Sequence, residues 1–146
     1  MGAEHAALPI WENTNKNPAN LSVEYSSMQV DVKELQEVPG AFQLLNVLSK
    51  TECSSLIEIS EQLEFLPDTA VSLPRSGRHN DSFTWIVNEQ TDGIIWQRIA
   101  HLMGDRQRLF NGSKALGTNA RFRFYRYGQD DYFKPHQMVR GQGFVL

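Results

Sequence analysis

The sequence predicts an α+β fold, with helices packed on one side of an antiparallel sheet. Three observations lead there. Residues 119–127 alternate with period two, as a half-buried strand does. Ser49-Lys50-Thr51-Glu52 is a capping box that opens a run of apolar residues at helical spacing. The strands and helices follow one another without the regularity of βαβ units, and no internal repeat is visible.

Taken in order, residues 1–37 read as a weakly ordered segment, with Pro9, Pro18 and a polar run from Glu12 to Asn17. Residues 41–48 read as a mostly buried strand behind Pro39-Gly40. In the helix that follows, the Ser49 hydroxyl accepts from the Glu52 amide and the Glu52 carboxylate reaches back to the Ser49 amide. Cys53, Leu56, Ile57, Ser60 and Leu63 then form its inward stripe, which makes Cys53 a small core residue. Residues 83–87 read as a strand. Thr91 or Asp92 caps a second helix that buries Ile95, Ile99, Leu102 and Met103. In the last strand Phe122 and Phe124 share one face, and Arg121, Arg123, Tyr125 and Tyr127 the other. A tight turn at 128–131 is expected to return the chain as a second strand over 132–136.

Composition narrows the function. The chain has 146 residues, 40% hydrophobic and 21% charged, the profile of one globular domain. A domain of this size buries about 70% of its unfolded surface and needs no staple. Its net charge of −3 offers no basic footprint for nucleic acid or an anionic membrane. Cys53 is the single cysteine, so no internal disulfide forms. No signal peptide and no run of 18 apolar residues is present, and Ala6 breaks a myristoylation motif at Gly2. The sequons at Asn20, Asn80 and Asn111 read as chance matches. The expected location is intracellular, cytoplasmic or nuclear.

Two features carry chemistry. The Arg121, Arg123, Tyr125 and Tyr127 face reads either as an exposed polar surface or as the wall of a cavity for a small anion. Arg supplies a planar fork for carboxylate, and Tyr a neutral donor. Of the histidines, His5 lies in the weak N-terminal tract and His101 suits a helix end. His79-Asn80-Asp81 is a His-x-Asp triplet, and His136 lies 55 residues beyond His79. Such a set can form a facial triad for non-haem Fe(II).

Residues 117–127 (Gly117-Thr118-Asn119-Ala120-Arg121-Phe122-Arg123-Phe124-Tyr125-Arg126-Tyr127), followed by Phe133-Lys134-Pro135-His136, resemble the prolyl 4-hydroxylase branch of the Fe(II)/2-oxoglutarate-dependent dioxygenases. The Phe42 to Leu63 strand and capped helix, the Arg78-His79-Asn80-Asp81 stretch and the Ile95-Trp96-Gln97-Arg98-Ile99 helix agree with it, so the likeness spans residues 38–137. It implies a double-stranded β-helix, or jelly roll, with His136 as the first iron ligand and Tyr127 as a hydrogen-bond donor to the distal carboxylate of 2-oxoglutarate. Arg78, Asn80 and Asp81 then have a positional role, and 79–81 is not the metal motif. The intact family uses Fe(II) and 2-oxoglutarate, with ascorbate as a further cofactor, to hydroxylate a C–H bond of a protein or small molecule.

Two departures bear on activity. Met138 stands two residues after His136, where the family has its iron-binding Asp. The family's distal His and its basic 2-oxoglutarate partner come from later strands, whereas residues 138–146 form a divergent tail. The expectation is therefore a truncated member, with the jelly roll incomplete at the C-terminus and no turnover of its own. Two alternatives stay open. One is a non-catalytic interaction or regulatory protein that uses a helical face (Ile57, Leu63, Ile95, Ile99) and an exposed sheet edge. The other is a triad of His79, Asp81 and His136, which must converge to within about 2–2.5 Å of one point.

Overall fold

A computed structural model describes residues 10–24, 30–67, 77–103, 106 and 112–135. It is a mixed α+β structure with two helices and three small sheets, and among the described residues no barrel closes. The strands are β1 (Ile10–Trp11), β2 (Asp31–Glu34), β3 (Phe42–Leu45), β4 (Leu66–Pro67), β5 (Arg78–His79), β6 (Asp81–Ile86), β7 (Arg121–Arg126) and β8 (Tyr132–Phe133). The helices are α1 (Lys50–Gln62) and α2 (Glu89–Met103).

β6 is the centre of the main sheet. Antiparallel β7 covers one of its edges, from Asp81↔Arg126 to Ile86↔Arg121. Two short strands share the other edge: β4 is antiparallel at Ser82 and Asp81, and β1 is parallel at Thr84 and Trp85. β2 and β3 form a separate antiparallel hairpin, where Gly40 takes the positive φ its loop requires.

The inward face of β6 and β7 is aromatic. Phe83 stacks on Phe124 with ring centres 4.8 Å apart, and meets Phe65 edge-on at 4.9 Å. Trp85 meets Trp11 edge-on at 5.0 Å. Leu56 of α1 and Leu63 at its C-terminal cap pack on these rings, and Phe122 joins them to Ile94 and Ile95 of α2. Both helices thus cover the same face, as the sequence predicts. Within residues 1–37, Ala19 and Leu21 also enter this core. The Asn17 side chain bridges their loop, donating to the Leu21 carbonyl and accepting from the Leu21 amide.

The capping box of α1 forms as read, with Ser49 and Glu52 exchanging hydrogen bonds of 3.1 and 2.8 Å. Its inward stripe is the predicted one in part: Ser60 is buried and Leu56 and Leu63 pack on the core as expected, but Glu52 is buried too, while Cys53 is exposed and Ile57 is 61% exposed. The cause is Arg98 of α2, whose guanidinium grips both Glu52 carboxylate oxygens, at 2.7 and 2.9 Å, and pulls that edge of α1 inward. Arg98 also donates to the carbonyls of Val47 and Ser22, and the Ser22 amide donates to Glu52. Burial pushes the Glu52 carboxyl up. The hydrogen bonds from Arg98, Ser22 and Ser49, with the Arg98 charge, outweigh burial and hold it down at about 2.

α2 is capped by Asn88 rather than by Thr91 or Asp92. The Asn88 side chain accepts from the amides of Gln90 and Thr91. The two expected caps are engaged elsewhere: Thr91 donates its hydroxyl to the Lys16 carbonyl, and Asp92 accepts from Thr118. Ile95, Ile99 and Met103 are buried as expected, and Leu102 is half-buried. No helix among the described residues is long and apolar enough to cross a membrane.

Beyond β7 the chain does not return beside it. β8 pairs instead with β5, Arg78 opposite Phe133 and His79 opposite Tyr132. Because β5 leads into β6 through Asn80 alone, β8 prolongs the same ladder after the loop 127–131. What reads as a hairpin turn is therefore a bulge of five residues facing one.

Candidate polar face

The second face of the β6·β7 pair is polar, and strand alternation places its residues. Thr84 stands opposite Arg123, Ser82 opposite Tyr125 and Ile86 opposite Arg121. The Arg78 guanidinium lies over the Tyr125 ring at 4.7 Å and over Phe133 at 5.6 Å, so β5 extends this face. Asp81 pairs with Arg126, which lies over Phe65 on the aromatic side, so Asn80 belongs with Arg78 on the polar side.

Its members differ in burial. Arg78, Asn80 and Thr84 are buried, Ser82 and Tyr125 are half-buried, and Arg121 and Arg123 are exposed. Arg123 reaches over Tyr125 at 5.5 Å. Arg121 and Arg123 have no carboxylate partner among the described residues. Asn80 is 3% exposed, and neither its Nδ2 nor its Oδ1 makes a hydrogen bond among the described residues. A buried amide left unpaired costs free energy unless water reaches it.

Tyr127 follows β7 directly, opens the bulge and is 45% exposed. His136 lies outside the described residues, as do Met138 and the tail. Among the described residues no three His, Cys, Asp or Glu side chains gather to hold a metal.

His79 and Asp81 are each engaged elsewhere. His79 Nδ1 meets Asp131 Oδ1, and its ring stacks near Tyr132. The Gly128 amide and His79 hold the Asp131 carboxyl below its ordinary value. Asp81 pairs with Arg126 at 3.0 Å, and Glu61 meets the same guanidinium at 3.1 Å. These two carboxylates, Asp81 foremost, raise the Arg126 guanidinium above its ordinary value. Beyond Tyr132 the register carries the described chain away from His79, with the Lys134 amide bonded to the Gly77 carbonyl.

Of the four residues considered for a docking helical face, Ile95 and Ile99 belong to the core and Leu63 packs against it, while Ile57 is exposed. A separate groove of about 400 Å³ runs between Trp96 and His101 of α2 and the 114–116 segment. The resemblance implies only a positional role for Asn80, and it implies none for Asp131. Polar residues at 78, 80, 82 and 84, alternating with Phe83 and Trp85, were the available signal for Asn80. No family model, no curated protein and no solved structure matches the chain.

Proposed function

We propose that the chain follows the plan of the prolyl 4-hydroxylase-like Fe(II)/2-oxoglutarate dioxygenases, with β6 and β7 as opening strands of a double-stranded β-helix. On this reading the polar face takes a small dicarboxylate of the 2-oxoglutarate type, and the polypeptide alone does not hydroxylate. The observation that carries it is the pair Arg121 and Arg123 beside Tyr125, without a carboxylate partner among the described residues, on the face that the helices leave uncovered. Guanidinium forks bind carboxylate through paired charge-assisted hydrogen bonds, and a phenol adds a neutral donor. Tyr127 follows Arg126 directly, and the resemblance would have its phenol meet the far carboxylate.

The residues do not fit Fe(II). Met138 occupies the position of the anionic oxygen ligand, and a thioether does not replace a hard oxygen donor. No redox step is therefore derived through the metal, nor through ascorbate, which would serve it. An intracellular location, cytoplasmic or nuclear, goes with this reading, since Cys53 stays a free thiol in a reducing compartment. The alternative of a non-catalytic interaction protein rests on exposed Ile57, an isolated surface apolar residue of an ordinary kind, and on the outer edge of β7, which pairs with no strand but β6 among the described residues.

Calorimetric titration of the whole chain with 2-oxoglutarate, in the presence of a chelator, tests the proposal. Saturable binding is expected, weakened about tenfold or more in Arg123→Ala, the scale of a lost charge-assisted hydrogen bond. With Fe(II) added, 2-oxoglutarate decarboxylation is expected to stay at the level of His136→Ala. Absence of binding refutes the ligand, and decarboxylation that His136→Ala abolishes refutes the lack of turnover.

A further inference from the structure

The bulge 127–131 is surplus length in the ladder, five residues against Asn80 alone, and something must hold it in one shape. Asp131 does so from three sides. Its amide donates to the Gly128 carbonyl at 3.2 Å, and its Oδ2 accepts from the Gly128 amide at 2.6 Å. Its Oδ1 meets His79 on β5, across the ladder. A side chain at Gly128 would come within 3.4 Å of Asp131 Oδ2, so the loop closes tightly around this carboxylate.

We propose that Asp131 is a positioning residue that fixes where the Tyr127 phenol stands. Tyr127 is the first residue of the loop, immediately before Gly128, so the turn that Asp131 closes sets its backbone. Asp131 itself does not touch the ligand. The consequence for binding rests on the reading of Tyr127 as a carboxylate donor, whereas the geometry of the lock does not.

The test uses the full chain with its tyrosines labelled, so that the Tyr127 ring resonance is followed while 2-oxoglutarate is titrated. Asp131→Ala removes both carboxylate contacts, and should move the Tyr127 resonance and weaken binding about tenfold, the scale of hydrogen bonds to a charged group. Asp131→Asn keeps an acceptor for Gly128 and a hydrogen-bonding amide toward His79, and should restore the resonance and most of the affinity. A Tyr127 resonance unchanged in Asp131→Ala overturns the proposal, as does an Asn variant that behaves like Ala. If the resonance moves but even the unmodified chain binds no 2-oxoglutarate, the positioning role stands and the ligand reading falls. If Tyr127→Phe weakens binding and Asp131→Ala does not, the reverse holds.

Discussion

Arg98→Met is expected to destabilise the fold by about 3–5 kcal/mol, the usual cost of stranding one member of a buried ion pair. Arg98 binds both Glu52 oxygens and the carbonyls of Val47 and Ser22, so it ties α2 to α1 and to the loop that buries Ala19 and Leu21. The methylene stem is kept, and only the charge and its donors go. Urea unfolding at pH 7 measures the loss, and a change below about 1 kcal/mol, the worth of an exposed pair, would place the pair outside the core. The double variant Glu52→Gln, Arg98→Met should recover part of it, because no uncompensated charge remains.

The same pair predicts the acid limb of stability. Glu52 is held at about 2 in the fold against an ordinary 4.5. Its contribution is therefore complete above about 4.5 and is lost as pH falls toward 2. In Arg98→Met the buried, unpaired carboxyl favours its protonated form. The gap between variant and unmodified chain should then narrow between pH 7 and pH 3.

Trp85→Ala is expected to cost about 3–5 kcal/mol, the range for emptying a large aromatic site. Trp85 is 2% exposed and lies among Trp11, Phe122 and Phe124, where β1, β6 and β7 meet. Domains are stable by only about 5–15 kcal/mol, so this one truncation removes a large share. Far-UV circular dichroism in urea is the suitable readout, because the substitution removes a fluorophore. A midpoint shift no larger than that of Ile57→Ala on the exposed face of α1 would contradict the core assignment.

Elements with a strong local signal were legible from the residues. The Ser49–Glu52 box starts α1, and period two places Phe122 and Phe124 on the covered face. In α1 the inward Leu56, Ser60 and Leu63 were legible and the inward Glu52 was not, because a charged residue faces the core only for Arg98, 46 residues away. β1 and β4 are two residues each and exist through pairing with β6, which leaves no pattern to read. Gly128 and Asp131 signalled a turn correctly, but whether a turn reverses the ladder or bulges from it depends on β5. On the polar face Arg121, Arg123 and Tyr125 were legible as a row. Arg78, Asn80 and Thr84 were not, because their burial follows from the tertiary fold.

Mapping 2-oxoglutarate onto the whole, metal-free chain by amide chemical shifts tests the ligand face most directly. The predicted result is a saturable set of shifts at Thr84, Arg123, Tyr125 and Tyr127, with Ile95 and Ile99 in α2 unmoved. No saturable shift, or shifts confined to the groove between Trp96 and Leu116, would contradict it.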